Sequence, residues 1–285
     1  QVTEAYKKAE DAGVRIFAVF QNRHNLAVKR VLQGLNDGEL GQIRSVSVRV
    51  RWCRPQRYYD LAPWRGTFAM DGGCLTNQGI HHVDLLRHLG GEVSRVCSIH
   101  KTLGANIEVE DTAVVTLKFK NGALGIIEAT TATRPKDLEG SISILGEKGN
   151  VVIGGFAVNQ MNSWAFEEAL DGDDEILEKY SVNPPSVYGF GHQAYYQHVV
   201  NCISNGGQNL IDGLQGRKTV RLISAIYESA ETGKEVLKYL RSITIELVHG
   251  SNVSNEELRH VEGQRYLVGL IESRITHAHK VKNNE

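Results

Sequence analysis

The sequence predicts an α/β protein: a remnant of a doubly wound domain, then a large, mainly antiparallel sheet with helices on one face. Three observations carry that expectation. Residues 3–12 and 14–20 read as a helix and then a mostly buried strand, an αβ unit with no strand before it. From residue 92 to about 181, short apolar runs alternate with turn residues, and Asn121-Gly122 is a strong hairpin signal between two of them. Helical periodicity returns at 190–205 and 215–233, late enough in the chain to cover that sheet.

Taken in order, the first helix stops at Gly13, a residue that accepts the left-handed backbone of a helix end. Because the chain opens at Gln1 on this αβ unit, its N-terminus reads as a cut. A helix covers 26–37, with Val28, Val31, Leu32 and Leu35 on one side and Asn36-Asp37-Gly38 to end it. A long strand follows over 42–54, alternating around Ile43, Val46, Val48 and Val50. Residues 55–69 form a polar, aromatic loop. Residues 73–89 read as one helix carrying Leu75, Ile80, Val83, Leu86 and Leu89, closed by Gly90-Gly91. Strands are expected at 94–102, 111–119, 123–133, 139–146, 149–154 and 157–166, with Glu147-Lys148-Gly149 as a second short turn. Consecutive hairpins make the sheet mainly antiparallel. Helices on one face leave the other to be buried by subunit association, the usual answer. Residues 242–248 read as one more strand, and Ser254-Asn-Glu-Glu257 as a capping box opening a helix to about 280.

Composition narrows the function. Hydrophobic residues make up 41% and charged residues 23%, as in ordinary soluble proteins. A net charge of -1 argues against a general affinity for nucleic acid or anionic membrane. No apolar run reaches the length of a membrane span, and the charged residues 1–12 do not read as a secretory signal. Cys53, Cys74, Cys97 and Cys202 are scattered with no CxxC pair, which reads as buried thiols in a reducing cytoplasm and no zinc site.

The densest chemistry lies between Arg51 and Asp84. Asn77 and His81 are four apart, and His81 and Asp84 three apart, so on one helix they share a face. A histidine oriented by a polar neighbour acts as a general base near neutral pH. The plainer alternative makes one of His81 and His82 a core histidine and the other a surface one. Just before them, Trp52, Arg54, Arg57, Tyr58, Tyr59, Trp64 and Arg65 crowd one loop. Guanidinium forks bind carboxylate and phosphate, and aromatic faces stack on sugars and bases. A subunit interface has the same composition, so both readings stand on residue type. No Gly-x-Gly-x-x-Gly follows a strand, and no Gly-x-Ser-x-Gly appears, which removes a dinucleotide fingerprint and a nucleophilic hydrolase. Asp60, Asp71, His81, His82 and Asp84 have no diagnostic metal-ligand spacing.

Several segments together resemble the Gfo/Idh/MocA oxidoreductases over roughly residues 1–235. They are Asn22-Arg23, Gly38-Glu-Leu-Gly41-Gln-Ile, Gly72-Gly-x-Leu-x-Asn-Gln-Gly-Ile-His81-x-x-Asp84, Glu110-Asp111-Thr112, Asn121-Gly122 and Gly146-x-x-Gly149. Trp52-x-Arg54-x-x-x-Tyr58-Tyr59, Trp64-Arg65-Gly66-Thr67 and Asn77-Gln78-Gly79-Ile80-His81 resemble a subgroup that oxidises C3 of UDP-N-acetylglucosaminuronic acid. Much of the family has Asp where this chain has Asn77; the subgroup has Asn. The family's Gly-rich fingerprint and Glu-Lys-Pro segment should lie before Gln1.

The resemblance implies a Rossmann remnant at 1–22, a substrate-binding, catalytic and oligomerisation domain at 23–241, and an extension of unknown role at 242–285. It implies NAD or NADP as cofactor, a sugar or nucleotide-sugar substrate, and a cytoplasmic homo-oligomer. His81 would accept the hydroxyl proton and Asn77 orient the sugar. Arg54, Tyr59, Trp64, Arg65 and His192 would bind substrate, and Asn22 and Arg23 would approach the cofactor. The chain alone is expected to be inactive. The competing reading is a non-catalytic sugar-binding or assembly module.

Overall fold

Strict alternation over Ile43–Arg51 makes β1, which buries Val46, Val48 and Val50 and turns Arg49 outward. The same period builds β2 (Val93–Lys101), β3 (Thr112–Phe119), β4 (Leu124–Thr130), β5 (Glu139–Gly146), β6 (Gly149–Gly154) and β7 (Gln160–Phe166). The computed structural model describes residues 2–155, 158–168, 172–182 and 189–232. The strand and helix expected within 242–285 lie outside those residues.

The strands form one seven-stranded sheet in the order β2-β3-β4-β1-β5-β6-β7. Only β1 and β4 run parallel; every other neighbouring pair is antiparallel. Asn121-Gly122 turns β3 into β4, with Gly122 at φ 93°, a conformation that favours glycine. Along the buried face, Val115, Leu117, Phe119, Ile127, Ile142, Ile144, Val151 and Ile153 interlock into one core.

The described helices are α1 (Val2–Asp11), α2 (Leu26–Asn36), α3 (Gln56–Tyr59), α4 (Cys74–Asn77), α5 (Ile80–Gly90), α6 (Asp173–Lys179), α7 (Gly191–Asn205) and α8 (Gly213–Thr232), and α2, α4, α5, α6 and α8 contribute side chains to that core. Val83, Leu86 and Leu89 of α5 and Leu222 and Ile226 of α8 enter the core, each nearly or fully buried. Full burial of such side chains contributes about 1.5–3 kcal/mol apiece, so packing, not helix propensity, holds these helices in place. The opposite face stays open: Ile99, Val114, Leu124 and Ile126 are exposed on adjacent strands.

Several expectations need correction. Of the four cysteines expected to be buried, Cys97 is exposed and Cys53 half-buried. Residues 14–20 do not form a strand of the sheet; Phe17 makes an isolated bridge to Asp212, the Ala18 N–H meets the Ile211 carbonyl at 2.9 Å, and the Ile16 carbonyl accepts the Asn209 amide at 2.9 Å. Apolar content alone made this segment look like a strand, and ladder partners decide the matter. The expected single helix over 73–89 is broken into α4 and α5 at Gln78-Gly79. The α3 and α6 helices were not expected; each is short, four and seven residues.

Burial also sets how the fold responds to acid. His82 is 2% exposed, lies edge-on to Trp52 at 5.5 Å between ring centroids, and has no hydrogen-bond partner among the described residues on either nitrogen. Burial, with His81 adding to it, pushes its pKa down to about 3; burial foremost likewise lowers His24 and His88 to about 4. The unfolded chain therefore binds more protons below pH 6.5, and stability present above that pH is lost as pH falls toward 4. Thermal unfolding measured from pH 7 down to about 5 should show a falling midpoint. His82→Leu should flatten that slope by up to about 1.4 kcal/mol per pH unit; an unchanged slope would contradict a buried neutral His82.

Candidate functional site

The corner between α4 and α5 is shaped by a buried carboxylate. Glu110, in the loop before β3, accepts the Leu75 N–H at 3.1 Å and the Tyr227 hydroxyl at 2.9 Å, while its carbonyl takes the Cys74 N–H at 2.9 Å. A Cβ at Gly73 would collide with that carboxylate, so the backbone approach requires glycine. Burial raises the pKa of Glu110, against the pull of these hydrogen bonds. The first turn closes when the Gly79 N–H reaches back to the Cys74 carbonyl at 2.7 Å; α5 then starts afresh, with the His82 and Val83 N–H groups on the Gly79 carbonyl.

Asn77 and His81 therefore do not share one helical face. The Asn77 amide donates to Asp71 and accepts from Gln78, and neither bond goes to His81. Gln78 continues the chain: its amide also donates to the Tyr58 hydroxyl at 3.1 Å, and its carbonyl accepts Arg54 Nε at 3.0 Å. Asn77, Gln78 and Tyr58, with Asp71 and Glu110, line a narrow recess.

The arginines of the loop divide. Arg54 is committed: besides Gln78, it donates to the Cys53 carbonyl at 2.9 Å and to Asp137 at 3.1 Å. Its role is to hold Gln78. Arg65 lies over the rings of Tyr58 at 4.2 Å and Trp64 at 4.7 Å and makes no ion pair among the described residues. Stacking of this kind leaves the guanidinium edges to a ligand. Trp64 is 38% exposed. Tyr59 is a wall residue: it is buried, its hydroxyl shares a 2.9 Å hydrogen bond with Thr131, and burial raises its pKa. An open cleft of about 410 Å³ runs past Tyr59, Pro63, Arg65, Asn106 and Glu108.

His81 lines neither recess. It stands in the first turn of α5, edge-on to Phe20 at 6.2 Å, with Nδ1 buried and without a partner among the described residues. His192, in the first turn of α7, is close enough to act on it electrostatically. Burial lowers the His81 pKa, His192 adds to this, and Asp84 opposes it, so the ring is neutral at pH 7.

Asp84 does not orient the imidazole by a hydrogen bond. Its carboxylate faces the short 3-10 turn Gln21–His24, where Arg23 grips it at 2.7 and 2.6 Å, and Thr219 of α8 adds a third bond at 2.8 Å. Arg23, expected near the cofactor, is spent here. Asn22 is 9% exposed and its side chain faces Gln21 at 3.5 Å. Sequence reasoning missed Gln78, Asp137, Glu110 and Tyr227. The Glu110-Asp111 pair before a strand was the available signal for Glu110, since a carboxylate between apolar segments needs donors. Among the described residues no group of three or more His, Cys, Asp or Glu side chains could hold a metal ion, and no helix is long and apolar enough to cross a membrane.

Residues 33–238 match the model for the Gfo/Idh/MocA oxidoreductase family, C-terminal alpha/beta domain. The WlbA dehydrogenase from Bordetella pertussis, solved with NADH and UDP-GlcNAcA, is 44% identical, with a TM-score of 0.78 over 82% of this chain and 68% of that one. The WlbA dehydrogenase from Chromobacterium violaceum, solved with the same pair, is 43% identical, with a TM-score of 0.76 over 82% of this chain and 66% of that one. The D-apiose dehydrogenase of Rhizobium rhizogenes is 26% identical over 178 residues, 55% of this chain and 46% of that protein. The chain thus spans about half the length of that curated relative.

Proposed function

We propose, for a chain that belongs to the Gfo/Idh/MocA oxidoreductase family through its C-terminal α/β domain, that it supplies the substrate half of an NAD(P)-dependent sugar dehydrogenase. The substrate we assign is an anionic nucleotide sugar, a UDP-sugar uronate, oxidised at its C3 hydroxyl. The observation that carries this reading is Arg65, stacked on Tyr58 and Trp64 with no ion-pair partner among the described residues, in the loop linked through Tyr58 and Gln78 to the α4–α5 corner that bears His81. The 44% identity to an enzyme solved with UDP-GlcNAcA and NADH supports it.

In this reading the neutral imidazole of His81 accepts the hydroxyl proton while the adjacent carbon loses a hydride, leaving a ketone. The nicotinamide cofactor, when bound, supplies the hydride acceptor. Phe20, His81 and His192 would face its reacting end, and the described residues offer no cradle for its phosphates, with Arg23 committed to Asp84. Asn77 and Gln78, locked by Asp71 and Arg54, present a fixed amide edge to the sugar. Arg65 takes the anionic groups. We divide the chain as expected from sequence, with 23–241 as the substrate domain, and assign the open sheet face to a second copy of the chain.

Turnover tests the catalytic part in the protein that carries this domain, read as NADH formation from NAD and UDP-N-acetylglucosaminuronate. His81→Ala should lower kcat at least about a hundredfold and leave KM within a few-fold. Arg65→Lys should mainly raise KM, because the planar fork is lost. A His81→Ala variant with near wild-type kcat would make His81 structural, and binding without any NADH formation would favour the non-catalytic module. Analytical ultracentrifugation tests the face: the chain should sediment as an oligomer and Ile126→Arg as a monomer. A wild-type monomer would remove the assignment.

A further inference from the structure

Asp84 lies one helical turn after His81 and is fully excluded from solvent. Its partners come from three separate elements. Arg23 reaches it from the Gln21–His24 turn and Thr219 from α8, and Arg87 stands 3.8 Å away on α5 itself. Gln215 of α8 ties the two guanidinium groups together, accepting Arg87 Nη2 at 2.6 Å and Arg23 Nη2 at 3.4 Å. We propose that Asp84 is a positioning residue for His81: its contacts clamp the first turn of α5 between the Gln21–His24 turn and α8, and its charge governs how readily the imidazole takes up a proton. The geometry stands by itself; its catalytic meaning rests on the dehydrogenase reading.

The groups facing His81 set the sign. The Phe20 ring meets it from the entrance to the turn, His192 from α7, and Asp84 from its own helix. Around Asp84 stand Arg23, Arg87 and His88, with Thr219 and Gln215 from α8. Burial and His192 disfavour the imidazolium, and the Asp84 charge favours it. Neutralising Asp84 would remove that favourable charge and leave Arg23 and Arg87 without the carboxylate they face. Adding a carboxylate at Gln215 would do the reverse and keep both existing arginine contacts.

The test is an NMR titration of the His81 ring in the full 285-residue chain, with the signal assigned by its loss in His81→Gln. Asp84→Asn should lower the His81 midpoint by about one pH unit or more, and Gln215→Glu should raise it. Thr219→Val removes a contact to Asp84 and changes no charge, so it should leave the midpoint in place. Asp84→Asn strands a buried guanidinium and risks unfolding the chain; Gln215→Glu carries the test in that case. A folded Asp84→Asn chain that titrates like wild type overturns the proposal. So does a Gln215→Glu chain with no upward shift, or a Thr219→Val chain shifted as far as Asp84→Asn. Because the titration requires no turnover, failure to form NADH would remove the dehydrogenase reading and leave this result intact.

Discussion

A carboxylate with no access to water must be met by donors, and Asp84 is met by a guanidinium fork and a hydroxyl from two other elements. That requirement joins parts of the chain far apart in sequence, 61 residues from Arg23 and 135 to Thr219. The apolar face of α5 fixes its depth in the core, through Val83, Leu86 and Leu89. Hydrophobic contact is non-directional and would tolerate rotation about the helix axis. The hydrogen bonds to Asp84 are directional and do not, since losing one partner of a buried pair costs about 3–5 kcal/mol. His81 inherits its orientation from that arrangement.

Polar side chains elsewhere at the corner work in the same way. Glu110 begins α4, Asp71 holds Asn77, and Arg54 with Asp137 holds Gln78. Arg65 and His81 are not answered in this way among the described residues. Arg65 has aromatic faces beneath it and no acid beside it, and His81 has a buried Nδ1 without a partner. The open sheet face, with Ile99, Val114, Leu124 and Ile126 uncovered, is the same argument in apolar terms.

Much of this was legible in the sequence. Period-two alternation located β1 to β6 within a few residues, and Asn121-Gly122 placed the hairpin between β3 and β4. The Asn77 to Asp84 segment was recognised as the chemical centre. What sequence spacing could not give was direction. Asn77 and His81 have helical spacing, yet the break at Gln78-Gly79 separates them, where the Gly79 N–H turns back to the Cys74 carbonyl. The resemblance put Arg23 near the cofactor and Arg54 and Tyr59 on the substrate; in the structure Arg23 pairs with Asp84, Arg54 pairs with Asp137, and the buried Tyr59 shares a hydrogen bond with Thr131. Tertiary partners decide whether a polar group is free, and spacing does not report them.

The central claim is that His81 meets the reacting hydroxyl while Arg65 meets the anionic end of one ligand. A crystal structure of the chain with UDP-N-acetylglucosaminuronate tests it most directly. The account predicts the C3 hydroxyl oxygen within about 2.6–3.2 Å of the His81 imidazole, with pyrophosphate or carboxylate oxygens on the Arg65 guanidinium. A ligand bound elsewhere, or bound with its sugar remote from α5, would contradict it.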